Sequence, residues 1–144
     1  MKIHQLSLFI ENQPGQVLGV CRTLKDAGID IRALTVADAQ EFGILRLIVS
    51  DWQAAEKVLG DAGNIVKITE VVAVEVPDRP GGLTDLLELL EGSGINIEYI
   101  YTHTFGQSNS AVLICRFDDT DRAIERLQSS SINVLAPVEI YQAA

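Results

Sequence analysis

The stretch "ENQPGQVL", Glu11 to Leu18, decides the fold, because "PDRPGGLT" restates it from Pro77 to Thr84. Pro14-Gly15 returns as Pro80-Gly81, an offset of 66. Leu24 returns as Leu90, and "GIDI" at Gly28–Ile31 returns as "GINI" at Gly94–Ile97, at the same spacing. Further on, Ala55 matches Ala123 and Leu59 matches Leu127 at an offset of 68, so two residues have been added near Thr104 to Ser110. Loops tolerate such additions. The 144 residues therefore divide into two copies of one unit, with predicted domains at 1–69 and 70–144.

Within the first copy, Leu6, Leu8 and Ile10 alternate with Gln5, Ser7 and Phe9, the period of a strand with one buried face. After the Pro-Gly break, Val17, Val20, Cys21 and Leu24 follow the spacing of an amphipathic helix, and Gly28 ends it in a left-handed cap. "IDIRALTVADA" and "FGILRLIVS" read as a hairpin. Ser50-Asp51-Trp52-Gln53 fits a capping box, with Ser50 as the cap and Gln53 reaching back. Ala55, Val58 and Leu59 then line a second helix, anchored by Trp52, and "NIVKI" closes the unit as a strand.

The second copy repeats the order. "VVAVEV" is a strand, Leu83, Leu86, Leu87 and Leu90 form a helical stripe ended by Gly92 and Gly94, and "INIEYIYTH" and "SAVLICRF" form the hairpin. A helix carrying Ala123, Ile124 and Leu127 follows, and "NVLAPVEIY" is expected to close as a strand. Asp118, Asp119 and Asp121 suit the positive end of that helix's dipole. The predicted fold class is α+β: two tandem ferredoxin-like βαββαβ domains, each an antiparallel four-stranded sheet with both helices on one face. Units this small are marginal alone, and Ile97, Tyr99 and Tyr101 alternate with Glu98, Ile100 and Thr102 without a clean polar face. The helix-free sheet surface is therefore expected to be partly hidden by the other repeat or by another chain.

Composition narrows the function. A formal charge of −9, from 20 acids against 11 bases with no basic run, argues against nucleic acid or an anionic membrane as partner. No apolar run approaches the roughly 20 residues of a membrane span, and the N-terminus lacks a signal-peptide pattern. Cys21 and Cys115 share no metal-ligand spacing and sit in apolar periodic segments, so both are read as buried reduced thiols of a cytoplasmic protein. His4 and His103, the only histidines, belong to no Cys/His/Asp cluster. "GSG" at Gly92–Gly94 follows a helix rather than a strand, which excludes the dinucleotide fingerprint. No nucleophile, base and orienting group converge, so neither an enzyme nor a cofactor is expected.

The Pro-Gly turns do carry chemistry. Each brings a helix N-terminus with unpaired N–H groups against whatever lies above the loop, a setting suited to a carboxylate. Gly15, Gly81 and Gly82 leave room for a close approach to the backbone. Asn12 and Asp78 either accept a ligand's ammonium or close the turn themselves. Arg79 either pairs with Asp78 or clamps a ligand's acid group.

These residues resemble the ACT domain, a small-molecule-sensing βαββαβ module of amino-acid-controlled enzymes. The resemblance rests on "SLFIENQPGQVLGVCRTLKDAGIDIRALTVA" and "VEVPDRPGGLTDLLELLEGSGINIEYIYTH", which share an [ND]-x-P-G turn, a Leu/Val-rich helix and Gly-Ile-[ND]-Ile. It implies effector sites between two copies, one copy's turn facing the start of the other's second strand. The implied contacts are Asn12, Gln13, Pro14, Gly15, Gln16 and Val17 with Asn96 and Ile97. Their counterparts are Asp78, Arg79, Pro80, Gly81, Gly82 and Leu83 with Asp30 and Ile31. The turns differ, Asn-Gln against Asp-Arg, so the two sites are expected to differ in affinity. The implied function is a non-catalytic sensor of a free amino acid or similar small carboxylate, as a homodimer, whose output is a change of assembly or of partner. The alternative is a regulatory subunit docking on a biosynthetic partner enzyme, like the small subunit of acetolactate synthase.

Overall fold

The computed structural model describes residues 1–103 and 109–142; most of the loop assigned the two added residues lies outside them. The elements run β1 (Ile3–Glu11), α1 (Gln16–Asp26), β2 (Ile31–Ala39), β3 (Phe42–Val49), α2 (Trp52–Asp61), β4 (Val66–Pro77), α3 (Gly82–Leu90), β5 (Ile97–His103), β6 (Ser110–Phe117), α4 (Thr120–Gln128), β7 (Asn133–Val134) and α5 (Pro137–Tyr141). Two compact units emerge, His4–Thr69 and Met1–Ile3 with Glu70–Ala144.

In the first unit the strands lie in the order β2-β3-β1-β4, with β3 antiparallel to both β1 and β2. Leu6, Leu8 and Ile10 of β1 and Leu45, Leu47 and Val49 of β3 share one face with Val20 and Leu24 of α1 and Ala55 and Leu59 of α2. The period-two and helical stripes of the sequence thus meet in one core. The second unit repeats it, in the order β7-β4-β6-β5. Val72, Val74, Val76, Leu113, Cys115 and Phe117 pack there on Leu86, Leu90, Ala123 and Leu127.

The opposite pleat is also withdrawn from water along the central strands: Val71, Ala73, Ile114 and Ile48 are fully buried although they point away from the helices. Along β5 the cover of the helix-free face is partial, with Tyr99 and Tyr101 half-buried and His103 buried; on the helix side of the same strand Ile100 is exposed.

Four expectations are corrected. "NIVKI" and "VVAVEV" are not separate strands but parts of the single 12-residue β4, because "TE" between them contains no turn-forming residue. "NVLAPVEIY" does not close as one strand. Only Asn133–Val134 pair, and Pro137, lacking an N–H for the ladder, opens α5, where Glu139 accepts from the Ala136 N–H (2.6 Å). The α2 cap is Asp51, which accepts from the Ala54 N–H (3.1 Å), while Ser50 Oγ accepts from the Asp30 N–H (3.0 Å). Cys21 is half-exposed, whereas Cys115 is buried and desolvation pushes its thiol up to about 12. Trp52 does anchor α2, packing on the core with its ring stacked on His4 at 4.4 Å.

Candidate functional site

The two Pro-Gly turns fold alike, bond for bond. In the first, the Gln13 N–H donates to Glu11 O (2.9 Å), the Gln16 N–H to Gln13 O (3.4 Å) and the Gly19 N–H to Gly15 O (3.0 Å). In the second, the Arg79 N–H donates to Pro77 O, the Gly82 N–H to Arg79 O and the Asp85 N–H to Gly81 O. Gly15 and Gly81, at φ 88° and 92°, cap α1 and α3 in the left-handed region that only glycine enters without strain. The N–H groups of Gly15, Val17 and Leu18, and of Gly81, Leu83 and Thr84, find no acceptor among the described residues. Each set points from the positive end of a helix.

Asn12, Asp78 and Arg79 tie the turns to their surroundings. Asn12 Nδ2 donates to Gln40 O (3.1 Å) and its N–H to Glu41 O (2.8 Å), tying the turn to the β2–β3 hairpin. The Asp78 N–H donates to Asn109 O (3.0 Å). Arg79 does not pair with Asp78: its Nη2 contacts Asp85 Oδ2 at 2.8 Å and its Nη1 donates to Pro80 O. Asp85 sits in the first turn of α3, so Arg79 lies folded back over the helix start.

Asp30, Ile31, Asn96 and Ile97 lie at the starts of β2 and β5, each opening beside a helix. A groove of about 410 Å³ in the first unit is lined by Cys21, Leu24, Lys25, Gly28, Ile29, Asp30 and Ile31. Its counterpart in the second, about 470 Å³, is lined by Thr84, Leu87, Glu88, Leu90, Glu91, Ile95, Asn96 and Ile97. Cys21, Leu24, Lys25, Ile29, Asp30 and Ile31 become Leu87, Leu90, Glu91, Ile95, Asn96 and Ile97 at the same offset of 66. Both strand starts are pinned in the same way: Asp30 by Ser50, and Asn96 by Asp118 Oδ1, which accepts from its N–H (2.9 Å). Asp30 also pairs with Arg32 at 2.9 Å. Residues 12–17 thus share a unit with Asp30 and Ile31, and residues 78–83 with Asn96 and Ile97.

The helix walls of these grooves, Cys21 and Lys25 in the first and Thr84, Leu87, Glu88 and Glu91 in the second, lie outside the contacts that the Pro-Gly motif implies. The signal was present, since 84, 87, 88 and 91 follow the i, i+3, i+4, i+7 spacing of one helix face. Among the described residues no cluster of His, Cys, Asp and Glu could hold a metal ion, and no helix is long and apolar enough to cross a membrane.

No curated protein matches the chain. Among solved structures, a protein from Bacteroides thetaiotaomicron is 38% identical with a TM-score of 0.92, covering 99% of this chain and 97% of that one. The regulatory subunits of aspartate kinase from Thermus thermophilus and Thermus flavus share the fold at 17% and 18% identity, with TM-scores of 0.63 and 0.64. They match over 88% and 90% of this chain, and over 91% of each of theirs. The family model described as an ACT domain pair matches residues 1–142. With that match spanning a tandem repeat which the sequence itself displays, the chain belongs to the ACT domain pair family.

Proposed function

We propose that this protein is a non-catalytic regulatory sensor, built of ACT domains 1–69 and 70–144. It binds a free amino acid or similar small carboxylate where the Pro-Gly turn of one ACT copy meets the second-strand groove of another, and works as a homodimer. The observation that carries this reading is the pair of matching N–H sets, Gly15/Val17/Leu18 and Gly81/Leu83/Thr84, left without acceptors among the described residues; the space beside Gly15 is open, and beside Gly81 it holds only the end of the Arg79 side chain, 3.3 Å from where a Cβ would stand. A ligand carboxylate supplies the missing acceptor, and the helix dipole adds to its attraction. The groove residues Asp30 and Asn96 offer oxygens to an ammonium group.

A thermal-shift screen against the twenty amino acids and common 2-oxo and aryl acids tests the reading. A ligand at about 100 times its dissociation constant adds roughly 2.7 kcal/mol, a rise of several degrees for a chain of this size. The expected result is a selective rise that Gly15→Leu or Gly81→Leu abolishes, together with twice the chain mass by light scattering. No rise with any compound defeats the sensor reading and favours a regulatory subunit held by a partner enzyme, which affinity purification then identifies.

A further inference from the structure

A third cleft, of about 480 Å³, opens in the second unit between the end of α3 and the exposed side of α4, lined by Gly92, Ser93, Ile95, Arg122, Glu125 and Arg126. Its two arginines stand one helical turn apart and are held in place: Arg122 Nη2 donates to Ser93 O (2.6 Å) and Arg126 Nε to Leu89 O (3.1 Å). Those bonds leave Arg122 Nη1 and Nε, and both terminal nitrogens of Arg126, without an acceptor among the described residues. Neither guanidinium has a carboxylate within ion-pair distance there, although the chain carries 20 acids against 11 bases. Elsewhere Arg32, Arg79 and Arg116 are each paired with an acid, while the exposed Arg22 of α1 has no such partner among the described residues.

Capping Leu89 O at the end of α3 and Ser93 O in the turn after it accounts for part of this arrangement. It does not account for why arginine is used. In the first unit α1 and α2 make the same helix pair with Ala54 and Val58 at the equivalent positions, so the fold closes without them. We propose that this cleft is a second ligand site, separate from the Pro-Gly turns, that takes a small molecule carrying a phosphate group. Arg126 keeps its end-on fork, Nη1 and Nη2, and Arg122 adds further N–H donors beside it, a match to the oxygens of a phosphate; Ile95 gives an apolar wall for the rest of the ligand, and the volume is that of a small-metabolite pocket. Glu125, on the same wall, sets a limit on affinity by repelling the anion.

Inorganic phosphate, titrated into the ¹⁵N-labelled full chain with ionic strength held constant by sodium chloride, is the probe. Saturable amide shifts confined to Gly92–Ile95 and Arg122–Arg126 are expected. Arg122→Gln with Arg126→Gln is expected to weaken binding by about tenfold or more, as loss of charge-assisted bonds does. Glu125→Gln, which touches neither carbonyl cap, is expected to tighten it about two- to fivefold, the scale of one surface charge. Shifts that are non-saturable or scattered over the surface overturn the proposal, as do saturable shifts that survive the double substitution. Should the double variant fail to fold, Glu125→Gln decides: unchanged affinity overturns the site.

Discussion

Gly82 is glycine for a reason the sequence hides: it does not leave room for a ligand, because its own turn already fills the space beside it. A Cβ there would lie 2.1 Å from Pro77 O, a backbone atom that the turn holds in place. At Gly19, in the exposed middle of α1, an added Cβ would meet nothing within 4 Å. The two substitutions should therefore move stability in opposite directions. Gly82→Ala is expected to destabilise by about 1–3 kcal/mol, the scale of overpacking, and Gly19→Ala to stabilise by roughly 0.5–1 kcal/mol through helix propensity. Urea unfolding midpoints check both signs. The Pro-Gly steps were legible because their residue types are rare and repeated; the need for glycine at 82 was not, since it depends on a carbonyl five residues away. Arg79 makes the same point, because the choice of Asp85 over the adjacent Asp78 follows from the return of α3 past the turn.

At the scale of elements, the cap of α2 separates two neighbours that a motif treats together. Asp51→Ala should destabilise by about 1 kcal/mol, the usual size of a lost N-cap. Ser50→Ala should act instead through the start of β2, where the Asp30 N–H loses its acceptor. Hydrogen exchange distinguishes them, with faster exchange at Ala54 in the first variant and at Asp30 in the second. The equivalent cap of α4 is Asp119, accepting from the Arg122 N–H at 3.1 Å, so the 68-residue offset extends to the cap.

Three strands meet at Glu75, whose carboxylate accepts from Ser110 Oγ (2.7 Å) and Asn133 Nδ2 (2.9 Å); those bonds lower its pKa below the ordinary glutamate range. A carboxyl depressed on folding stabilises above its unfolded pKa of about 4.3, and that contribution fades as pH falls through the lower folded value. Replacing Ser110 and Asn133 by alanine should lower the melting temperature at pH 7, and the gap to the parent should shrink as the pH falls below the unfolded value of about 4.3. Melting curves from pH 3 to 7 measure it.

For the whole molecule, each repeat has its own core, and the repeat predicts equal consequences at matched sites. Leu59 and Leu127 are both fully buried, on α2 and α4, 68 residues apart. Leu59→Ala and Leu127→Ala should each destabilise by about 2–5 kcal/mol, the range for a leucine cavity. Urea unfolding followed by circular dichroism measures both. A loss well under 1 kcal/mol at either site would contradict its place in a packed core. The repeats also differ at matched positions: Lys25 stands against Glu91, Asp30 against Asn96, and Ala54 and Val58 against Arg122 and Arg126.

The sequence alone determined the repeat, the βαββαβ order of each copy, the buried stripes of β1, α1, α2, α3 and α4, and the two Pro-Gly turns. These are local matters, in which side-chain period, glycine conformation and proline's missing N–H act within a few residues. Tertiary structure decided the remainder: the run of β4 through Glu70, the shortness of β7, the partner of Arg79, the exposure of Cys21 and the walls of the grooves. Each depends on which surface arrives from elsewhere in the chain. Hydrogen-bond satisfaction and burial are settled between distant segments, and no reading of neighbouring residues contains them.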